Sequence, residues 1–227
     1  MKRSMAATPR PLADYRDIFL LDDVDLLHGT VLDCASGASP FGAQVRALGG
    51  KATSVDPVYE AAPDELEGIV YGDLAQVARW TREHPEGFDW TVLGTPAMFE
   101  RYFRLAAELF LHDYQQDRSP YIAAYLPALP FPDDHFDLAL CSHYLFSSAD
   151  HLTFEENLAA LRELGRVTAG EVRVYPLVGL EGHRYPRLEE IRAVLRDEGV
   201  GTEIRPSRFR FVKGAEEMLV LRPRSTG

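Results

Sequence analysis

Two acids and the loop between them carry the first chemistry in this sequence. Asp33 stands near the end of the apolar run Thr30–Cys34, and Asp56 follows a second run, Lys51–Val55, 23 residues later. That spacing suits strand, turn, helix, turn and strand in succession, the opening of a βαβ unit. An acid at the end of the second strand accepts hydrogen bonds from a ribose. The loop Cys34-Ala35-Ser36-Gly37-Ala38-Ser39 is built of small residues, so backbone can approach a ligand closely at Ala35, Ser36 and Gly37. It lacks the G-x-G-x-x-G that seats a pyrophosphate on a helix N-terminus. Asp33 at the strand end suits a cationic ligand.

A second group follows the run 136–141. Ser142, His143 and Tyr144 fall at the carboxyl end of a strand, where open α/β sheets bind ligands. His143 titrates near neutrality and can take a proton from a hydroxyl or amine, and Tyr144 stands beside it. The competing reading is a histidine bonded to nearby backbone. No H-x-x-H pattern supports a metal. Cys34 and Cys141 lie in apolar runs without C-x-x-C spacing, so no metal or disulfide framework is expected.

These residues need a scaffold, and the patterning supplies one. Residues 14–27 have helical spacing with a break near Asp22 and Asp23. Helices are expected over 40–48, 74–83, Pro96–Gln116, 153–167 and 186–198, and strands over Thr30–Cys34, Lys51–Val55, 121–125, 136–141 and 171–177. Thr153 followed by Glu156 reads as a capping box. Residues 202–211 and 217–221 can pair antiparallel. Seven strands alternating with helices predict a doubly wound, mainly parallel seven-stranded sheet. Helices would cover both faces, and the C-terminal strand would run antiparallel. The expected organisation is an N-terminal tail over 1–14 and one domain over 15–227, with a helical insertion around 60–120. In that insertion Phe99, Tyr102, Phe103, Ala106, Phe110 and Tyr114 form an aromatic stripe, read as core packing in preference to a pocket wall.

The chain of 227 residues is 46% hydrophobic and 26% charged, ordinary values for one α/β domain. Its 24 basic and 35 acidic residues give a net charge of −11, which argues against nucleic acid as a partner. Arg205, Arg208, Arg210 and Lys213 form the densest basic stretch and read as solvated. No apolar run reaches the length of a membrane span, and no signal peptide is visible. A cytoplasmic, soluble protein with no membrane partner is expected.

The stretches DCASGAS, SVDPVY, LPALPFPDDHFDLALCSHYLF and EVRVYPL together resemble class I S-adenosylmethionine-dependent methyltransferases, in a bacterial branch, over roughly residues 15–223. Ala35 and Ser39 replace two usual glycines of the first loop. The resemblance implies a Rossmann-like fold, S-adenosylmethionine as cofactor and methyl transfer to an acceptor. It implies Asp33, Ala35, Ser36, Gly37, Pro57 and Ser142 beside the cofactor, and Asp56 at the ribose. Tyr125 and Leu126 would meet the adenine, Tyr125 standing where the family has an acid. Tyr15 and Phe19 would close over the cofactor from an N-terminal helix. A small-molecule acceptor is favoured over a protein side chain, and the acceptor and oligomeric state are not given. Two other readings stand beside this one: a protein that binds the cofactor without transferase activity, and an NAD(P)-dependent oxidoreductase. The missing G-x-G-x-x-G and Tyr-x-x-x-Lys pair weigh against the oxidoreductase.

Overall fold

The computed structural model describes residues 8–146, 152–179 and 182–222. Among them seven strands form one sheet: β1 (Thr30–Cys34), β2 (Lys51–Val55), β3 (Tyr121–Ile122), β4 (Phe136–Ser142), β5 (Thr168–Tyr175), β6 (Gly201–Pro206) and β7 (Glu217–Arg222). The order is β3-β2-β1-β4-β5-β7-β6. The first five strands are parallel, and β7 runs antiparallel to both β5 and β6. The chain winds outward from β1 in both directions. A crevice therefore opens beyond the carboxyl ends of β1 and β4, the topological switch point where ligands bind.

The helices are α1 (Leu12–Phe19), α2 (Asp23–Leu27), α3 (Phe41–Ala47), α4 (Pro63–Glu83), α5 (Trp90–Leu93), α6 (Pro96–Gln116), α7 (Phe154–Arg166) and α8 (Leu188–Asp197). The central strands bury both faces, so they read as continuous apolar runs. On one face Leu32, Cys34, Ala139 and Cys141 pack under Leu158, Leu161 and Leu164 of α7 and Ile191 and Leu195 of α8. On the other, Val31, Leu138, Leu140 and Tyr175 pack under Tyr15, Ile18 and Phe19 of α1, Phe41 of α3 and Phe103 of α6. None of the helices is long and apolar enough to cross a membrane, among the described residues.

The aromatic stripe of α6 is core packing, as its spacing implied. Phe99, Phe103, Ala106, Phe110 and Tyr114 are buried, while Tyr102 is half-buried. The break in the first helical stretch is also present, between α1 and α2, and Asp22 starts α2 with a capping box. Three expectations need correction. Strand β3 is only two residues long, because after Ile122 the backbone leaves the sheet and Ala128 N–H bonds the Tyr125 carbonyl. Helix α4 begins at Pro63 instead of 74, opened by Pro63 with Asp64 and Glu65 in its first turn. Strand β5 begins at Thr168 instead of 171, so Thr168, Ala169 and Gly170 are already strand. Gly170 permits this, since a Cβ there would lie 2.1 Å from the Asp137 carbonyl oxygen.

Candidate active site

The loop after β1 is fastened on several sides. Ala35 has φ 59° and Gly37 φ 54°, both left-handed. Gly37 N–H donates to Asp56 Oδ2 at 2.9 Å, and Val58 N–H donates to Asp56 Oδ1 at 2.9 Å. Asp56 thus joins the loop to the 3₁₀ turn that follows β2. Tyr59 of that turn donates its hydroxyl to the Gly37 carbonyl at 2.7 Å and shares a 2.6 Å hydrogen bond with Ser36 Oγ. The Tyr59 ring is held by Phe110, Tyr114 and Tyr121. Nothing in local periodicity marked Tyr59. Its one sequence signal is an aromatic three residues after the strand-end acid.

A cleft of about 370 Å³ opens beside this loop. Cys34, Ala35, Asp56 and Pro57 form one wall, Ala124, Tyr125, Leu126 and Pro127 a second, and Tyr144 with Leu152, Glu156 and Ala160 the third. Five residues read from the sequence as cofactor contacts therefore meet here: Ala35, Asp56, Pro57, Tyr125 and Leu126. The structure also brings Tyr144 to the same cleft. Tyr125 is 63% exposed, an aromatic ring at the cleft's edge. Each Asp56 oxygen keeps a second lone pair after its backbone bond, so both can still accept from a ligand hydroxyl.

The remaining candidates lie outside that lining. Asp33 is fully buried on the α1 face of the sheet, where the Tyr15 hydroxyl donates to Oδ1 at 2.9 Å. Its Oδ2 has no partner. Burial raises the Asp33 carboxyl to about 7, with the Asp56 charge adding to the rise and the Tyr15 bond opposing it. Burial likewise raises Asp56 to about 6, against the two backbone donors. Two desolvated acids at one sheet edge favour a ligand that brings positive charge and hydroxyl donors.

Tyr15 stacks on Phe41 with ring centroids 4.2 Å apart, and Phe19 meets the edge of Tyr175. Both are core residues, and of the two only Tyr15 touches a candidate acid. Ser36 and Gly37 meet the cleft only through the loop they shape. Ser142 Oγ and His143 Nδ1 are 2.7 Å apart, and His143 N–H donates to the Tyr175 carbonyl at 2.6 Å. His143 holds φ 56°, an uncommon backbone state for a non-glycine residue. Its Nε2 is closed to solvent and unpartnered. Burial, and then the Arg10 charge, hold its pKa well below the usual histidine range, so the ring is neutral. No group of three or more His, Cys, Asp or Glu side chains is placed to hold a metal, among the described residues.

The sheet and its crevice define a doubly wound, Rossmann-like α/β protein with a ligand cleft at the switch point. No family model matches the chain. It is 28% identical over 214 residues to an uncharacterised protein of Methanocaldococcus jannaschii, spanning 94% of each chain. Among solved structures it is similar to the S-adenosylmethionine-bound magnesium protoporphyrin IX methyltransferase of Synechocystis PCC 6803. The TM-score is 0.47 at 14% identity, over 91% of this chain and 75% of that one. It is also similar to a SAM-dependent methyltransferase of Methanosarcina mazei. That likeness has a TM-score of 0.46 at 12% identity, over 86% of this chain and 92% of that one.

Proposed function

We propose that the chain is a class I methyltransferase that binds S-adenosylmethionine and methylates a small molecule. The observation that carries this reading is the cleft between Asp56 and Tyr125, beside a buried Asp33 whose Oδ2 lacks a partner. In this reading Asp56 holds the ribose hydroxyls. Pro57, Tyr125 and Leu126 take the adenine between them, Leu126 through backbone and Tyr125 through its ring. Ala35, Ser36 and Gly37 line the approach with backbone. Asp33 and Ser142 face the amino acid end, where Asp33 answers positive charge, and Tyr15 and Phe19 close that end. The fit rests on this chain's donor set: acids and small residues, with no phosphate cradle. When bound, S-adenosylmethionine supplies an electrophilic methyl on a sulfonium.

The protein's own part is then positioning, dryness and one proton. His143 Nε2 accepts the acceptor's proton only if Nδ1 carries hydrogen and donates to Ser142 Oγ. With Ser142 as donor, the ring hydrogen sits on Nε2 and the base is lost. Its depressed pKa suits an acceptor that is already weakly acidic. Tyr144 lines the cleft and orients the acceptor. The protein is read as one domain, cytoplasmic, acting on a small molecule. The bacterial placement of the branch rests on the sequence motifs alone, and the relative above is archaeal. A second reading, a binder without transferase activity, is favoured by Ala35 and Ser39 in place of glycines and by Tyr125 in place of an acid. Acceptor-dependent formation of S-adenosylhomocysteine would exclude it.

The test is calorimetry. Asp56→Ala should weaken S-adenosylmethionine binding about ten-fold or more, the loss of charge-assisted hydrogen bonds. Unchanged affinity in a folded variant would remove the ribose assignment. His143→Ala should leave that affinity within about three-fold and lower turnover by about 10²–10⁴. If specific activity stays intact while stability falls, His143 is structural.

A further inference from the structure

Arg10 precedes α1, and it is 4% exposed. Its backbone is tied to the β1–α3 loop, where Ser39 Oγ donates to the Arg10 carbonyl at 2.6 Å. Its guanidinium lies 5.0 Å from the ring centroid of Phe209 and 5.5 Å from that of Phe103, which fix its position. The acid beside it, Asp14, is 3.4 Å from Nη1, near the limit of a hydrogen bond. Asp14 answers the charge poorly. Tyr102 donates to its other oxygen at 2.6 Å, and burial pushes its carboxyl up. Arg10 Nε is closed to solvent and has no partner at all.

A guanidinium is always charged, so a buried one with an idle donor is costly unless something completes it. Two more unpartnered atoms belong to the carboxyl ends of β1 and β4: Asp33 Oδ2 and His143 Nε2, on residues that meet Tyr15 and Tyr175 of the same core face. The Arg10 charge is felt at His143 and at Tyr175 below it. Neither core packing nor the Asp14 pair uses the Nε edge.

We propose that Arg10 receives a carboxylate from a ligand seated on the α1 side of the crevice. The Nε edge of a guanidinium is a planar fork that matches two carboxylate oxygens. A dianion such as phosphate is disfavoured, because Asp14 beside the guanidinium would repel it more strongly. The proposal rests on the methyltransferase reading for the ligand's source. The carboxylate belongs either to the amino acid moiety of the cofactor or to the methyl acceptor.

Calorimetry on the full chain and on Arg10→Met tests this with three probes. These are S-adenosylhomocysteine, 5′-methylthioadenosine (which lacks the amino acid carboxylate) and benzoate added to protein saturated with S-adenosylhomocysteine. If the cofactor supplies the carboxylate, Arg10→Met weakens S-adenosylhomocysteine about ten- to hundred-fold and leaves methylthioadenosine within about three-fold. If the acceptor supplies it, both nucleosides bind unchanged and the benzoate binding of the wild type is lost. Arg10→Lys keeps the charge but not the fork. It should show a partial loss with the same probe, which keeps the proposal falsifiable if the Met variant fails to fold. The proposal is overturned if Arg10→Met binds all three like wild type, or if it weakens both nucleosides equally, as a merely structural arginine would. A wild type that binds neither nucleoside defeats the methyltransferase reading instead, and benzoate alone then decides for Arg10.

Discussion

Ala35 holds a left-handed backbone without being glycine. That conformation costs an L-residue about 1–2 kcal/mol, part of which glycine would return as unfolded-state entropy. Ala35→Gly should therefore raise stability by up to about 1 kcal/mol in urea titration while keeping the cleft. A lower stability would mean that the Ala35 methyl contributes packing worth more than the strain. The two raised acids set a pH dependence. A carboxyl whose folded pKa, about 7 for Asp33 and about 6 for Asp56, exceeds its unfolded value stabilises the fold most at low pH. That contribution is complete below about pH 4 and lost as pH rises through the folded values. The melting temperature of the unliganded protein should fall between about pH 5 and 8, and Asp33→Asn should flatten the slope. At this scale the positions of Asp33, Asp56, Ala35 and Gly37 at strand ends and in the first loop were legible, because strand ends and small-residue loops are local patterns. Tyr59 and Arg10 were not. Each acts through a contact 22 or 29 residues away in sequence, and a single arginine ahead of the first helix has no periodic neighbour to mark it.

Helix α7 carries Glu156 and Ala160 to the third wall of the cleft, and its start is fixed by the reciprocal Thr153–Glu156 capping box. Thr153→Ala should cost about 1 kcal/mol of stability. Thermal melts check the loss, and calorimetry should find cofactor affinity within about three-fold, since the wall is held by Leu158, Leu161 and Leu164 in the core. Element types were readable wherever apolar periodicity was dense, as in Pro96–Gln116, whose bounds were read as they stand. Boundaries slipped where another force decided them. The first turns of α4 carry charge and only sparse apolar residues, so the start signal at Pro63 was masked. Strand β3 lies at the sheet edge, where Pro127 and Pro130 offer no backbone donors and the chain turns to form the cleft wall instead. The early start of β5 depends on how closely Gly170 meets Asp137, a fact of pairing that no single segment contains.

As a whole the molecule couples a ligand cleft to a sheet buried on both faces. Binding to the folded state alone should be visible as thermal stabilisation. S-adenosylmethionine at about 100 times its Kd should add about 2.7 kcal/mol and raise the melting temperature of a chain this size by roughly 5–10 °C. NADH at the same concentration should leave it unmoved, and the reverse result would favour the oxidoreductase. The fold was legible because strand and helix alternate along nearly the whole chain. The proposed acceptor was not, because the cleft is lined by side chains gathered from distant segments, Asp56, Tyr125, Tyr144 and Ala160 among them.

The Tyr59 hydroxyl has a consequence for how this chain can evolve. It grips the loop after β1, yet its ring is wedged among Phe110 and Tyr114 of α6, a helix outside the lining of the cleft. The inner side of α6 therefore inherits the constraints of the cleft at second hand. Its outer side, with Met98, Leu105 and Leu109 turned to solvent, is free of them. Lineages of this chain should drift on one side of α6 and stand still on the other.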